Sequence, residues 1–139
     1  MLIGKSASYG IGIARALILE NAELKIETGS SSNPEKELQR FDDALKLSQS
    51  ELTGLYQKTL ATLGEDKARI FEAHAMILQD PDLIDSIHSE IREKALKASA
   101  AVDVVSKRFI EMFEAMDNEY MRERALDIKD ISTRLIRKI

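Results

Sequence analysis

The sequence predicts a mainly α fold: an antiparallel helical bundle of paired helical hairpins, preceded by one to three short β-strands. Three observations lead to it. After Gly64 there is no further glycine and only one proline, Pro81, so the stretch avoids the two residues with the largest helix penalties. From Asn33 onward, apolar residues recur at the spacing of one helix face. In the first twenty residues Ile11, Ile13, Leu17 and Leu19 alternate instead, the period of a strand.

Taken in order, Ile3 and Ala7, ahead of a Ser8-Tyr9-Gly10 turn, read as a short first strand. The alternating run that follows has apolar Ala14, Ala16 and Ile18 between its members, so both faces look buried, as in a central strand covered on two sides. Glu23 to Glu27 alternates well and reads as a short edge strand. So few strands do not form a stable sheet alone, and the expectation is the beginning of a sheet whose body lies elsewhere. Gly29-Ser30-Ser31-Ser32 is the expected linker.

The helices follow. Ser32-Asn33-Pro34-Glu35 supplies a capping side chain, a proline at the start and an acid in the first turn. Leu38, Phe41, Leu45, Ser48, Leu52 and Leu55 then mark one long helix to about Leu63, ended by Gly64. A second runs from about Glu65 to Leu78, and Asp80-Pro81-Asp82 caps a third that reaches about Lys94. A fourth covers about Ser99 to Met116, with Val102, Val105, Phe109, Met112, Phe113 and Met116 on one stripe. Asp117-Asn118 breaks it, and the last runs from Glu119 to the end with Met121, Ala125, Ile128, Leu135 and Ile139 inward. Short connections between amphipathic helices imply antiparallel neighbours.

Composition narrows the function. A chain of 139 residues is one domain or a piece of one. With 20 Lys+Arg against 24 Asp+Glu, net charge −4, it lacks the basic balance of a nucleic-acid or anionic-membrane binder. Cysteine is absent, which excludes disulfides, thiolate catalysis and Cys-ligated zinc and fits a reducing cytoplasm. No apolar run approaches the ~20 residues of a bilayer span, and Met-Leu-Ile-Gly-Lys-Ser lacks the order of a signal peptide. Cytoplasmic location, no membrane and no nucleic-acid partner are therefore the expectations.

Catalytic constellations are nearly missing. Gly10-Ile11-Gly12 lacks the third glycine and the following helix of a phosphate loop. Asp85 and His88 share a helix face, but a di-metal bundle needs four carboxylates and two such motifs; a solvated histidine beside an acid is the plainer reading. Glu65-Asp66 and Asp80/Asp82 read as helix-start acids that favour the macrodipole. His74 is either a satisfied packing residue or a functional one. Every position from Ala73 to Leu78 except His74 is apolar, more than one helix face needs. Either part of this surface is exposed as a protein-docking patch, or the helix is buried on both sides.

These residues also carry a family resemblance. Gly64 to Leu83, Gly-Glu-Asp-Lys-Ala-Arg-Ile-Phe-Glu-Ala-His-Ala-Met-Ile-Leu-Gln-Asp-Pro-Asp-Leu, resembles the partner-binding helices of Enzyme I, the phosphoenolpyruvate–protein phosphotransferase of the bacterial sugar phosphotransferase system. Met116 to Ile131 resembles another stretch of that family, and Gly4 to Ala14 its opening strand motif. There Tyr9 stands where the family often has proline, and Ala14 where it often has glycine. The resemblance covers the whole chain in order.

The resemblance implies that residues 1–30 are the opening strands of an incomplete α/β phosphohistidine domain and that 31–139 are an inserted helical domain that docks the phosphocarrier HPr. The family's reactive histidine sits in a Thr-Ser-His-type motif that this sequence lacks. The implied chain therefore docks its partner and has no catalytic residue or cofactor. Magnesium, the phosphoenolpyruvate substrate and homodimerisation belong to parts of the parent family not represented here. By analogy the docking face comprises Glu65, Asp66, Glu72, His74, Met76, Ile77, Asp82 and Leu83, with Tyr120 and Arg124 at its edge. Met76, Ile77 and Leu83 would form its desolvated centre. Glu65, Asp66 and Glu72 would attract basic groups, and His74 would be a polar contact. Asp82, with Pro81, stands where the family can be more acidic, which alters the local charge. Arg124 would orient an incoming phosphohistidine or simply pair with Asp127. A self-contained helical adaptor or oligomerisation domain, and a small enzyme using His74 or His88, are the alternatives.

Overall fold

The computed structural model describes residues 3–5, 8–18 and 23–139. Among them the chain forms α1 (Pro34–Leu63), α2 (Glu65–Ile77), α3 (Pro81–Lys94), α4 (Ala98–Glu114) and α5 (Glu119–Lys138). Three of the five begin where a side chain can accept an otherwise unpaired backbone N–H. Asn33 accepts from Lys36 at 3.1 Å, Asp80 from Asp82 at 2.9 Å and Asn118 from Tyr120 at 2.9 Å. α4 has no such side chain at its own start; Glu37 of α1 accepts the Ala98 N–H at 2.9 Å instead. Between α1 and α2 only Gly64 intervenes, at φ 85°. That left-handed backbone, which glycine adopts freely, turns the chain back on itself.

α1 and α2 pack as one hairpin, α4 and α5 as another, and α3 lies against α4. α1 also touches α3, α4 and α5, so the core gathers around it. Phe41, Leu52, Leu78, Ile87, Ile91, Val102, Val105, Ile131 and Leu135 are fully buried there. The mainly α expectation and all five helices are borne out.

The opening segment differs from its strand expectation. Ile3, Ile11, Ile13, Leu17 and Ile18 are exposed, and no strand ladder forms among the described residues. An extended segment needs a neighbouring backbone for its N–H and C=O groups, and the described residues supply none to it; Ala7 and Leu19 lie outside them. Glu23 to Glu27 takes no regular secondary structure and lies on helices, not at a sheet edge. Leu24 and Ile26 pack on the helical core, and the Glu27 N–H donates to Ser99 Oγ at 2.9 Å. The Gly29–Ser32 linker is pinned too: Ser31 N–H donates to the Ala95 carbonyl at 2.6 Å, beside an isolated antiparallel bridge between Ser30 and Leu96. At its C-terminal end α4 stops at Glu114, and Met112 and Met116, expected inward, are 49% and 39% exposed.

One ionic contact joins α3 to α4. Buried Glu90 accepts from Arg108 at 2.5 Å and from Lys94 at 3.0 Å. The Arg108 hydrogen bond, helped by Lys94, holds the Glu90 carboxyl below its ordinary value although burial pushes the other way. A carboxyl depressed in the folded state stabilises the fold above its unfolded pKa of about 4.3 and loses that contribution as pH falls through the folded value. Wild type should therefore exceed Glu90→Gln in urea stability at neutral pH, with the gap closing below about pH 4; a pH-independent gap would show that the carboxylate charge is not the cause.

At the C-cap of α3, Ala95 has φ 52°, a left-handed backbone that disfavours residues with a Cβ. Ala95→Gly is expected to raise the urea midpoint, by about 1 kcal/mol of stability.

Candidate protein-docking surface

α2 has thirteen residues, and its faces sort by helical period. Ala68, His74 and Ile77 are buried inward, with Phe71 and Ala75 half-buried beside them. The opposite line runs Glu65, Arg69, Glu72 and Met76, one turn apart and all exposed. Glu65 and Arg69 form a 3.7 Å ion pair on it. Met76 is 60% exposed, and on the flank stand exposed Asp66 and Ile70, the latter 51% exposed. The outer side of α2 thus combines apolar side chains with free carboxylates.

His74 faces the other way. It is buried, and its Nε2 lies 3.2 Å from Asp127 Oδ1 on α5. This supports the packing reading of His74 and fixes α2 against α5. On α5, Tyr120 and Arg124 precede Asp127 on the same face. Tyr120 is exposed and Arg124 half-buried. Asp127 serves His74 and not Arg124, and Arg124 makes no hydrogen bond or ion pair among the described residues.

Two expected members of the desolvated centre need correction. Ile77 is 3% and Leu83 4% exposed, and both belong to the hydrophobic core. They form the floor beneath the surface, because an isoleucine next to an outward Met76 is rotated about 100° around the helix and meets the bundle. Asp82 is exposed in the first turn of α3. His88 takes its acid from across the bundle: Nε2 lies 2.8 Å from Asp42 Oδ1 of α1, not at Asp85, and its ring stands edge-on to Phe41 at 5.4 Å. Spacing along one helix cannot reveal such an interhelical partner.

Sequence reasoning missed Ile70, Met112, Met116 and Leu126 as exposed apolar residues. For Ile70 a signal was present: with Phe71 and His74 inward, the helical period puts it on the flank.

Two clefts border the α2 surface. One, about 160 Å³, lies between α1 and α2 and is lined by Leu52, Tyr56, Phe71 and Ala75. The other, about 460 Å³, lies beside His74 and Phe71 and is lined by Glu51, Arg134, Arg137 and Lys138. In it Glu51 binds Arg134 at 3.0 Å and also Lys138. The Lys138 hydrogen bond, with Arg134, holds the Glu51 carboxyl below its ordinary value. Among the described residues no three His, Asp or Glu side chains converge to hold a metal ion, and no helix is long and apolar enough to cross a membrane.

A family model described as PEP-utilising enzyme, N-terminal, matches residues 3–124. The phosphoenolpyruvate-protein phosphotransferase of Priestia megaterium is 47% identical over 133 residues, 96% of this chain and 23% of that protein. That of Bacillus subtilis (strain 168) is 43% identical over 134 residues, 96% of this chain and 24% of that protein. The chain thus spans about a quarter of the length of these curated relatives. Among solved structures, an NMR solution structure of Enzyme I superposes with a TM-score of 0.80 at 33% identity, covering 84% of this chain and 48% of that one. The N-terminal domain of Enzyme 1 - Nitrogen superposes with a TM-score of 0.75 at 27% identity, covering 82% and 48%.

The His74–Asp127 contact predicts a graded mutant series. Asp127→Ala leaves a buried imidazole nitrogen without its partner and should lower urea stability by about 1–3 kcal/mol. Asp127→Asn keeps an accepting oxygen and should lose less; equal losses would assign the effect to packing alone.

Proposed function

The chain belongs to the PEP-utilising enzyme N-terminal family, and from that premise we propose that its helical face docks the histidine-containing phosphocarrier HPr within a phosphoenolpyruvate–protein phosphotransferase. The observation that carries this reading is the outer side of α2, where Met76 and Ile70 stand exposed among Glu65, Asp66 and Glu72. Carboxylates around an apolar centre suit a small basic-faced protein. The acids raise the encounter rate, and the thioether and isoleucine exclude water at the centre of contact. Tyr120 and Arg124, on the face of α5 that carries Asp127, extend the surface in this reading. Arg124, without a partner among the described residues, is available to a phosphoryl oxygen of the carrier. His74 holds the platform and does not itself accept phosphate.

In the same reading residues 31–139 are the docking domain and residues 1–30 open an α/β phosphohistidine domain. The exposed alternation of Ile11, Ile13 and Leu17 supports it, being what a strand shows before a sheet covers it. Phosphoryl transfer from phosphoenolpyruvate, with magnesium, homodimerisation and a cytoplasmic setting, belongs to the whole protein and uses residues other than these.

Titration of isotope-labelled HPr with this chain tests the proposal. Binding should saturate, with shifted resonances on α2 and the start of α5. Met76→Asp should weaken it about tenfold or more while the far-UV helical signal stays. Glu72→Lys should mainly slow association and flatten its salt dependence. Absence of binding, or an unchanged affinity in folded Met76→Asp, refutes the assigned surface.

A further inference from the structure

Resting on the docking reading, we propose that Met76 is an oxidation switch: peroxide converts its thioether to a sulfoxide and thereby weakens partner binding reversibly. The distribution of sulfur points to it. The chain has five methionines and no cysteine, so no thiol among these residues competes for oxidant. Methionine commonly fills gaps in cores, yet none of the described methionines lies in this one. Met112 and Met116 are partly exposed, Met121 is half-buried, and Met76 is the most exposed of the four described. Met76 also sits one turn beyond Glu72 on the outermost line of α2, where a partner would have to desolvate it.

The chemistry balances with hydrogen peroxide as the oxidant. A sulfur lone pair attacks one peroxide oxygen, an S–O bond forms and the O–O bond breaks. The departing oxygen leaves as water after proton transfer, the sulfur having lost two electrons and the peroxide gained them. The product is polar, chiral and a strong hydrogen-bond acceptor. Beneath a partner that offers an apolar contact its oxygen would be desolvated without compensation, which disfavours binding. A thiol-dependent methionine sulfoxide reductase reverses the change.

The test measures HPr affinity before and after hydrogen peroxide treatment, with peptide mass spectrometry locating the added oxygen. Wild type oxidised at Met76 should lose about tenfold or more in affinity and recover after reductase treatment with dithiothreitol. Met76→Leu, judged only against its own untreated affinity, should not change on treatment. Three results overturn the switch: Met76 resists peroxide that oxidises free methionine, its sulfoxide binds as well as the thioether, or Met76→Leu loses as much on treatment as wild type. If the untreated chain does not bind HPr, it is the docking reading that fails, and the switch falls with it.

Discussion

A buried carboxylate in the first turn of α1 holds the bundle in register. Glu37 accepts the leading N–H of α4 with one oxygen and receives Arg40 with both, at 3.0 and 3.3 Å. Arg40 in turn reaches Glu27 at 2.8 Å and the Ile139 carbonyl at 3.2 Å. Burial works against the guanidinium charge, but Glu27 and Glu37 more than offset it and raise its pKa. One charged cluster thereby joins the segment before α1, the start of α1, the start of α4 and the end of α5. α4 lacks a cap of its own, so its start is defined only where α1 supplies the acceptor. With α1 placed against the α4–α5 hairpin, α2, which folds back on α1, necessarily meets α5, and His74 finds Asp127. The placement of the outer side of α2 descends from this cluster although none of its members lies there.

Helix boundaries were legible in the sequence because their causes are local. Asn33, Gly64, Asp80 and Asn118 act on backbone groups within a few residues, and all four work where the residues say they should. The acids of α2 and Met76 came from the family resemblance, which named buried Ile77 and Leu83 beside them and so did not separate outward from inward positions. What was not legible depends on a second element. Depth at Ile77 and Leu83 is set by how closely α1 and α3 approach. The partners of His74 and His88 come from α5 and α1. Glu23 to Glu27 has a strand's alternation but packs on helices, because alternation states which side chains share a face and not what covers that face.

Adjacent residues on α2 consequently do different work. Met76 and Ile77 are neighbours in sequence and point to opposite environments, one to solvent and one to the core. The inward residue contributes rigidity: a floor of Ile77, Leu78 and Leu83 packed around α1 and α3 limits how far the outer side chains can drift. A pre-positioned surface has less ordering entropy to lose on association. The outer residue leaves a flexible thioether in solvent above that floor.

Charge then weighs on whether the outer side of α2 can pair with itself. Two copies of this face brought together by a two-fold axis would oppose Glu65, Asp66 and Glu72 to themselves, since an isologous interface pairs a patch with its own copy. Like charges across an interface are unfavourable, and Arg69 is already engaged with Glu65. The outer side of α2 therefore disfavours pairing with its own copy about a two-fold axis.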